Sequence, residues 1–411
     1  MFHNEPKKKS DMKTLRIVIV CLVLMAAVGV AAAEKKQIKA GTTVALKGVD
    51  KVRNFGIVKV FYTQGSSAKV RVVEKGRAAS SVSVEGDKLV INIPDHEETI
   101  TNEYGTTTVY NNGSNGDVDT EIYLTLPRLS EVDNMGGVLT LKASALGAKG
   151  ASLRISNSGS MDFAADAVDC GSMELLNFGS MTLAVRKMGT SGDMKLSNSG
   201  SLRFSVPDKL YGSMVRLSNS GSLSMKAPTV KADKVEFINF GAVPALDMAV
   251  ECDYYKHSNS GSEKSGATIR VTAPTTQISN SGVLSDNFDV TARRGDKVSV
   301  VNFGVMNSRV KCNSEYVKVS SNGSGTINAS VKCSDLTLSN TGSGMIKADG
   351  STGNLWMSGN NGDGFDVRQL TTNGKAKASF FDNAWGNKYN NGNLKGLEKR
   401  INGGNVDQYN P

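Results

Sequence analysis

The sequence predicts an all-β fold, a parallel β-helix or β-solenoid of about twelve ~20-residue coils with an N-terminal β cap. Three observations lead there. Glycine supplies 43 of 411 residues while proline supplies 8, well above the ~7% glycine of ordinary globular chains. A tetrad Asn-x-Gly-x recurs about every twenty-one residues from position 134 onward. Apolar residues alternate with polar ones on both sides of each tetrad, the period-two signature of strands flanking a turn. Charged residues at 21% and hydrophobic residues at 39% exclude a disordered chain, and the irregular glycine excludes collagen.

Residues 1–33 read as a secretory signal peptide. Lys7, Lys8, Lys9, Lys13 and Arg16 form a basic start, Ile17 to Val30 an unbroken apolar run, and Ala31 to Ala33 the small residues of a cleavage site. The run is shorter than the ~20 residues needed to span a bilayer, so no stable transmembrane segment is expected after removal of the signal. The product would be exported, to the periplasm, the cell surface or beyond. Removing the signal lowers the formal charge from +9 to +6, a weak field on so long a chain. Without a cluster of Lys and Arg interleaved with stacking aromatics, nucleic acid is not an expected partner.

Residues 34–128 form the N-terminal β-strand region or cap, with strands expected in 55–64, 68–75, 87–94 and 120–127. Between the last two lies a polar, Asn/Gly-rich stretch (97–119), expected as a hairpin or loop.

Residues 129–366 carry the solenoid repeats. The first anchor is Asn134, followed by the pairs Asn157 and Gly159, Asn177 and Gly179, Asn198 and Gly200, Asn219 and Gly221, Asn239 and Gly241, Asn259 and Gly261, Asn280 and Gly282, Asn302 and Gly304, and Asn340 and Gly342. Ser321 takes the Asn place between the last two, and a degenerate copy lies at Gly359. Two and four residues before most of these Asn stand apolar residues such as Leu153 and Ile155 or Met173 and Leu175. Such a unit cannot cover its own apolar face and must stack on copies of itself, at ~4.8 Å per coil. The Asn and Gly residues are expected as a structural corner ladder. Gly would supply backbone angles forbidden to other residues, and Asn amides would bond from coil to coil.

The second tetrad position carries a longer rhythm: Phe178, Phe240 and Phe303 fill it every third coil, with Ser199, Ser220, Ser260 and Ser281 between. Regularly spaced bulky residues among small ones fill a narrow core, so these rings are expected inside. The alternative is a row along one outer face, ~14 Å apart. Residues 367–411 form an Asn/Gly-rich C-terminal tail, whose Phe380, Phe381 and Trp385 are expected to plug the last coil.

The order of these elements resembles the DUF2807 family, described as "putative auto-transporter adhesin, head GIN domain". The resemblance rests on NFGIVKVFYTQGSSAKVRVV (54–73), GDKLVINIP (86–94), IYLTLPRLSEVDNMGG (122–137) and the NSGS turns at 157–160, 198–201, 219–222 and 259–262. It spans most of residues 40–360. It implies a secreted, adhesin-like protein of Bacteroidetes-type bacteria and supplies no catalytic residue. The chain shows no run of alternating ~10-residue strands suited to a membrane barrel, so a complete autotransporter is not expected.

Chemistry-bearing residues are few. After the signal the cysteines are Cys170, Cys252, Cys312 and Cys333, each two residues after a Val, and in other coils Ala stands in their place. They read as small buried side chains. Cys312 and Cys333, one coil apart, are the one possible disulfide. His257 falls where other coils carry Leu or Val, a sign of a distorted coil or a local surface site. The turn at 359–366 has oxygen donors at alternate places but no closing Glu, so calcium is not expected. No cofactor or metal is expected. The function expected is a non-catalytic binding, adhesin-like or scaffold protein with a glycan or surface protein as partner. The alternative is a polysaccharide lyase or glycoside hydrolase on a β-helix.

Overall fold

The computed structural model describes residues 35–74, 81–92, 97–102, 105–110, 120–292, 296–359, 364–381, 394 and 397–402. The signal peptide (1–33), Trp385 and residues 360–363 of the turn at 359–366 lie outside the described residues, as do the side chains of Phe380 and Phe381. The described residues hold 36 strands and no helix, wound as a β-solenoid of about twelve coils.

One coil shows why. In Ser152–Asn157 and Ser160–Cys170, Leu153, Ile155, Asn157, Met161, Phe163 and Ala165 are buried while the residues between them face out. The alternation breaks at three places: Ser158 to Ser160, Asp166 with Ala167, and Gly171 with Ser172, where neighbouring residues are all at least partly exposed. A strand cannot point two successive side chains to one side without bending, so each break is a corner. The chain then returns as Ser172–Asn177, parallel to Ser152–Asn157 with Asn157 beside Asn177. The same register recurs through Asn198, Asn219, Asn239, Asn259, Asn280, Asn302, Ser321 and Asn340. Inward residues of successive coils therefore stack into one continuous apolar core.

The ladder starts earlier than the repeat pattern indicates. Lys51–Asn54 and Ile57–Gln64 form a first coil that pairs in parallel with Glu131–Asn134 and Val138–Leu146, placing Asn54 beside Asn134. Between them the chain leaves the rod and builds its end. Lys88–Asn92 and Thr120–Leu126 lie parallel beneath the first coil. Antiparallel strands Lys36–Ile38, Thr43–Ala45, Lys69–Glu74 and Ser81–Glu85 complete the cap. Pairing against the coil direction stops further parallel stacking, which is how an open solenoid end is protected. The stretch expected as a hairpin contains one, Glu97–Asn102 against Gly105–Tyr110.

At the other end parallel pairing continues beyond residue 366. Ala376–Phe381 stacks on Leu355 to Gly359, and Leu397–Asn402 on Ala376–Phe381.

Candidate functional site

The corner built by the tetrads has an inner and an outer side. Inside, each Asn is buried and donates its amide to the next: Asn157 Nδ2 to Asn177 Oδ1 at 2.8 Å, Asn177 to Asn198 at 2.7 Å, Asn198 to Asn219 at 2.7 Å, and Asn219 to Asn239 at 2.8 Å. The run continues from Asn239 through Asn259 and Asn280 to Asn302, whose amide donates to Ser321 Oγ at 3.2 Å. Asn340 turns instead to the carbonyls of Gly344 and Gly364. A buried amide must be satisfied, and a stack of identical amides satisfies itself.

The tetrad glycines serve a different purpose from the one expected. None of Gly159, Gly179, Gly200, Gly221, Gly241, Gly261, Gly282, Gly304 and Gly342 has a positive φ. Each instead lies against the backbone of the coil before it: a Cβ on Gly200 would sit 2.0 Å from the carbonyl oxygen of Gly179, and one on Gly304 would sit 2.2 Å from that of Gly282. Close approach of successive corners, not left-handed backbone, excludes a side chain here.

On the outer side the tetrad's second residue projects into solvent. Phe178 and Phe240 are 60% exposed and Phe303 is 58% exposed, so the expectation of rings packed in the core is wrong. The reason is parity. The Asn faces inward, and on an alternating backbone its successor must face out.

The residue two before each Phe also faces out and follows the same rhythm. Leu176, Ile238 and Val301 stand in the Phe coils, with Ser197, Ser218, Ser258 and Ser279 in the coils between. The residues after the glycines are Ser180, Ser201, Ser222, Ala242, Ser262, Val283 and Val305. Over seven coils this corner presents apolar bands about 14 Å apart, separated by pairs of bands that are serine throughout except for Val283, and these positions hold no charged side chain. Phe55 occupies the same place three coils before Phe178 and is partly buried.

A second outward feature is an open groove of about 520 Å³ on another corner, lined by Tyr211, Lys231, Asp233, Glu251, Asp253 and Asp296 among others. The Tyr211 ring lies flat on Gly189, where a Cβ would come within 1.9 Å of it, and the Lys187 and Lys209 ammonium groups stand 5.7 and 5.0 Å from its centroid. Lys231 pairs with Glu251.

His257 is not at the surface. It is fully buried with its ring stacked on Phe237 at 4.9 Å. Its Nε2 lies 2.7 Å from Glu263 Oε2 and its Nδ1 3.0 Å from the Tyr255 hydroxyl. Asp286, also fully buried, accepts from Ser265 Oγ at 2.7 Å and from the Gly266 N–H at 2.9 Å, and burial raises its carboxyl above the ordinary range. Glu263 stands where other coils place Met161, Met181, Leu202 or Leu284. Sequence reasoning missed this cluster, although two polar residues at inward places of one coil are the signal that marks it.

Cys170, Cys252, Cys312 and Cys333 are free thiols. Cys312 pairs with Val331 and Cys333 with Thr352, so the two belong to different inward columns, because coils of nineteen residues shift the pattern. Among the described residues no three His, Cys, Asp or Glu side chains gather to hold a metal ion.

The fold and its outward corner define a capped parallel β-solenoid that presents a repeated face. The chain belongs to DUF2807, the family described as "Putative auto-transporter adhesin, head GIN domain", whose model matches residues 49–208 and 262–379. Two solved structures are similar. A "putative adhesin" from Bacteroides fragilis has 12% identity over 77% of this chain and 97% of its own, with a TM-score of 0.30. Another from Parabacteroides merdae has 10% identity over 84% and 96%, with a TM-score of 0.21. No curated protein matches the chain.

Proposed function

We propose that this protein is an exported, adhesin-like β-solenoid that binds a partner along its length and performs no chemistry of its own. The observation that carries this reading is the banded corner: three phenyl rings exposed to solvent, evenly spaced, on a backbone locked by the Asn ladder. Exposed aromatic side chains held rigidly lose little conformational entropy on binding and supply most of the contact energy in recognition surfaces. The family description and the basic-then-apolar leader support export and a surface role. No helix among the described residues is long and apolar enough to cross a membrane.

The second reading, a glycan-cleaving enzyme, is favoured by one observation. The groove beside Tyr211 brings Asp233, Glu251, Asp253 and Asp296 to one corner over neighbouring coils, and paired carboxylates are what glycoside cleavage requires. Two measurements on purified residues 34–411 separate the readings. A glycan array and a surface-protein capture assay report binding, and a reducing-end assay reports turnover. Release of reducing ends from any glycan, lost in Asp253→Asn, would replace the binding reading with the enzymatic one.

A further inference from the structure

The banded corner can be assigned an occupant. We propose that it is a homotypic interface: a second copy of this rod lies alongside the first, with Phe240 facing its own counterpart. This rests on the binding reading above and specifies its partner.

The period of the bands selects this occupant. The bands at Phe178, Phe240 and Phe303 are separated by three coils each, and the coil rise is fixed by backbone hydrogen bonding at ~4.8 Å. A stiff partner that engages all three rings must repeat every ~14 Å, or it drifts out of step along the row. A second copy matches that repeat by construction. The outer rings are equidistant from Phe240, so a two-fold axis through the central band aligns apolar bands with apolar bands and serine bands with serine bands. The alignment holds whether the rods run parallel or antiparallel.

Charge and area agree with this occupant. Two positively charged copies repel at most of their surface, but between residues 176 and 305 the outward corner positions carry no charge, and the cores of protein interfaces are depleted in charge. The uncharged stretch of the corner from Leu176 to Val305 is seven coils tall and about three outward residues wide, roughly 34 by 13 Å. Contact along it would bury about 900 Å² over both partners, below the range of permanent complexes and in that of weak, reversible ones. The backbone needs no reordering to make the contact, which keeps its cost low.

Sedimentation velocity on purified residues 34–411, from about 5 µM to about 500 µM, tests this, since that range brackets the dissociation constants of weak, reversible contacts. A reversible monomer–dimer equilibrium is expected. Phe240→Ser restores the Asn-Ser-Gly tetrad of the neighbouring coils, so the variant retains its fold, as circular dichroism and melting temperature will report. It should weaken the dimer about tenfold or more, since a central aromatic contributes most. Phe178→Ser and Phe303→Ser should each weaken it less, and the triple variant should stay monomeric throughout. A wild-type chain that remains monomeric over the whole range overturns the proposal, as does a dimer indifferent to all three substitutions. A monomeric rod that captures glycans or surface protein through these rings would overturn the homotypic occupant while leaving the binding function standing.

Discussion

Asn54 Nδ2 donates to Asn134 Oδ1 at 2.8 Å across eighty residues of sequence. This is the first rung of the amide ladder, and it joins the first coil to the second over the intervening cap. Each later rung joins one coil to the next, so the ladder ties the first coil, which carries the cap, to the rod and holds the register of the coils as far as Ser321. A shift by one residue would turn each Asn outward and each apolar neighbour with it.

A mid-ladder rung can be removed cleanly. Asn198 donates to Asn219 Oδ1 and to the Ser222 carbonyl at 2.9 Å, and accepts from Asn177. Asn198→Ala leaves Asn219 Oδ1 without its side-chain donor in a buried corner and takes from Asn177 one of its three acceptors, the Gly179 and Ser201 carbonyls remaining. The expected loss is about 2–4 kcal/mol, measured by denaturant unfolding. Asn198→Ser, which copies Ser321, should lose less. A variant as stable as wild type would show the ladder to be incidental.

Gly200 tests the close-approach account. With φ outside the left-handed region, alanine is conformationally acceptable here, yet its Cβ would meet the Gly179 carbonyl at 2.0 Å. Gly200→Ala should cost about 3 kcal/mol or more, because backbone on both coils must separate. Gly150→Ala gives the contrast: its φ is 76° and nothing lies within 4 Å of the added Cβ, so only the backbone penalty of about 1–2 kcal/mol applies. Equal melting temperatures for the two variants would refute the distinction.

The two phenylalanines of one coil separate inside from outside. Phe237 is fully buried and Phe240 is exposed. Phe237→Ala should cost about 3–5 kcal/mol through lost burial and the cavity left behind. Phe240→Ser should change monomer stability by no more than about 0.5 kcal/mol. A large loss at Phe240 in dilute, monomeric protein would restore the core reading.

Much of the rod was legible in the sequence, because its physics is periodic. Leu153 and Ile155 before Asn157, and Met161 and Phe163 after it, give the strand parity directly, and identical coils can only stack. What was not legible concerns relations that periodicity leaves open. The Asn54 rung was hidden because its neighbour in space lies beyond the cap. Spacing alone places Phe178 inside, whereas the parity of Asn177, carried one residue further, places it outside. The constraint on the corner glycines is backbone approach between coils, which leaves no mark in a single coil. His257 needed Glu263, six residues on, to be recognised as part of a buried pair.

The cysteines give a chemical count. Burial pushes Cys170 up to about 11 and Cys252 and Cys312 up to about 12, and it raises Cys333 as well. The thiolate is the reactive form, so Ellman's reagent should find the folded protein nearly inert at pH 8. On denaturation of residues 34–411 without reductant, all four thiols should appear. Only two would establish a Cys312–Cys333 disulfide, against the separate inward columns in which the two thiols stand.

Asp286 supplies a pH signature. Its carboxyl sits fully buried near Glu263 and His257, Oδ2 has no hydrogen-bond partner among the described residues, and burial raises its pKa above the ordinary 3.8. The folded chain thus holds this proton more tightly than the unfolded chain, with His257 opposing the shift and Glu263 adding to it. Stability fully present below pH 3.8 is lost as pH rises through the raised value. Asp286→Asn cannot ionise and retains an oxygen for the Ser265 hydroxyl and the Gly266 N–H, so it escapes that loss. Each unit of upward shift corresponds to about 1.4 kcal/mol. The variant should therefore melt above wild type at pH 8, with the difference shrinking as pH falls toward 4. Melting curves of both proteins across that interval decide the matter, and a difference that stays constant or grows on acidification would show that Asp286 is ionised and stabilised in the folded rod.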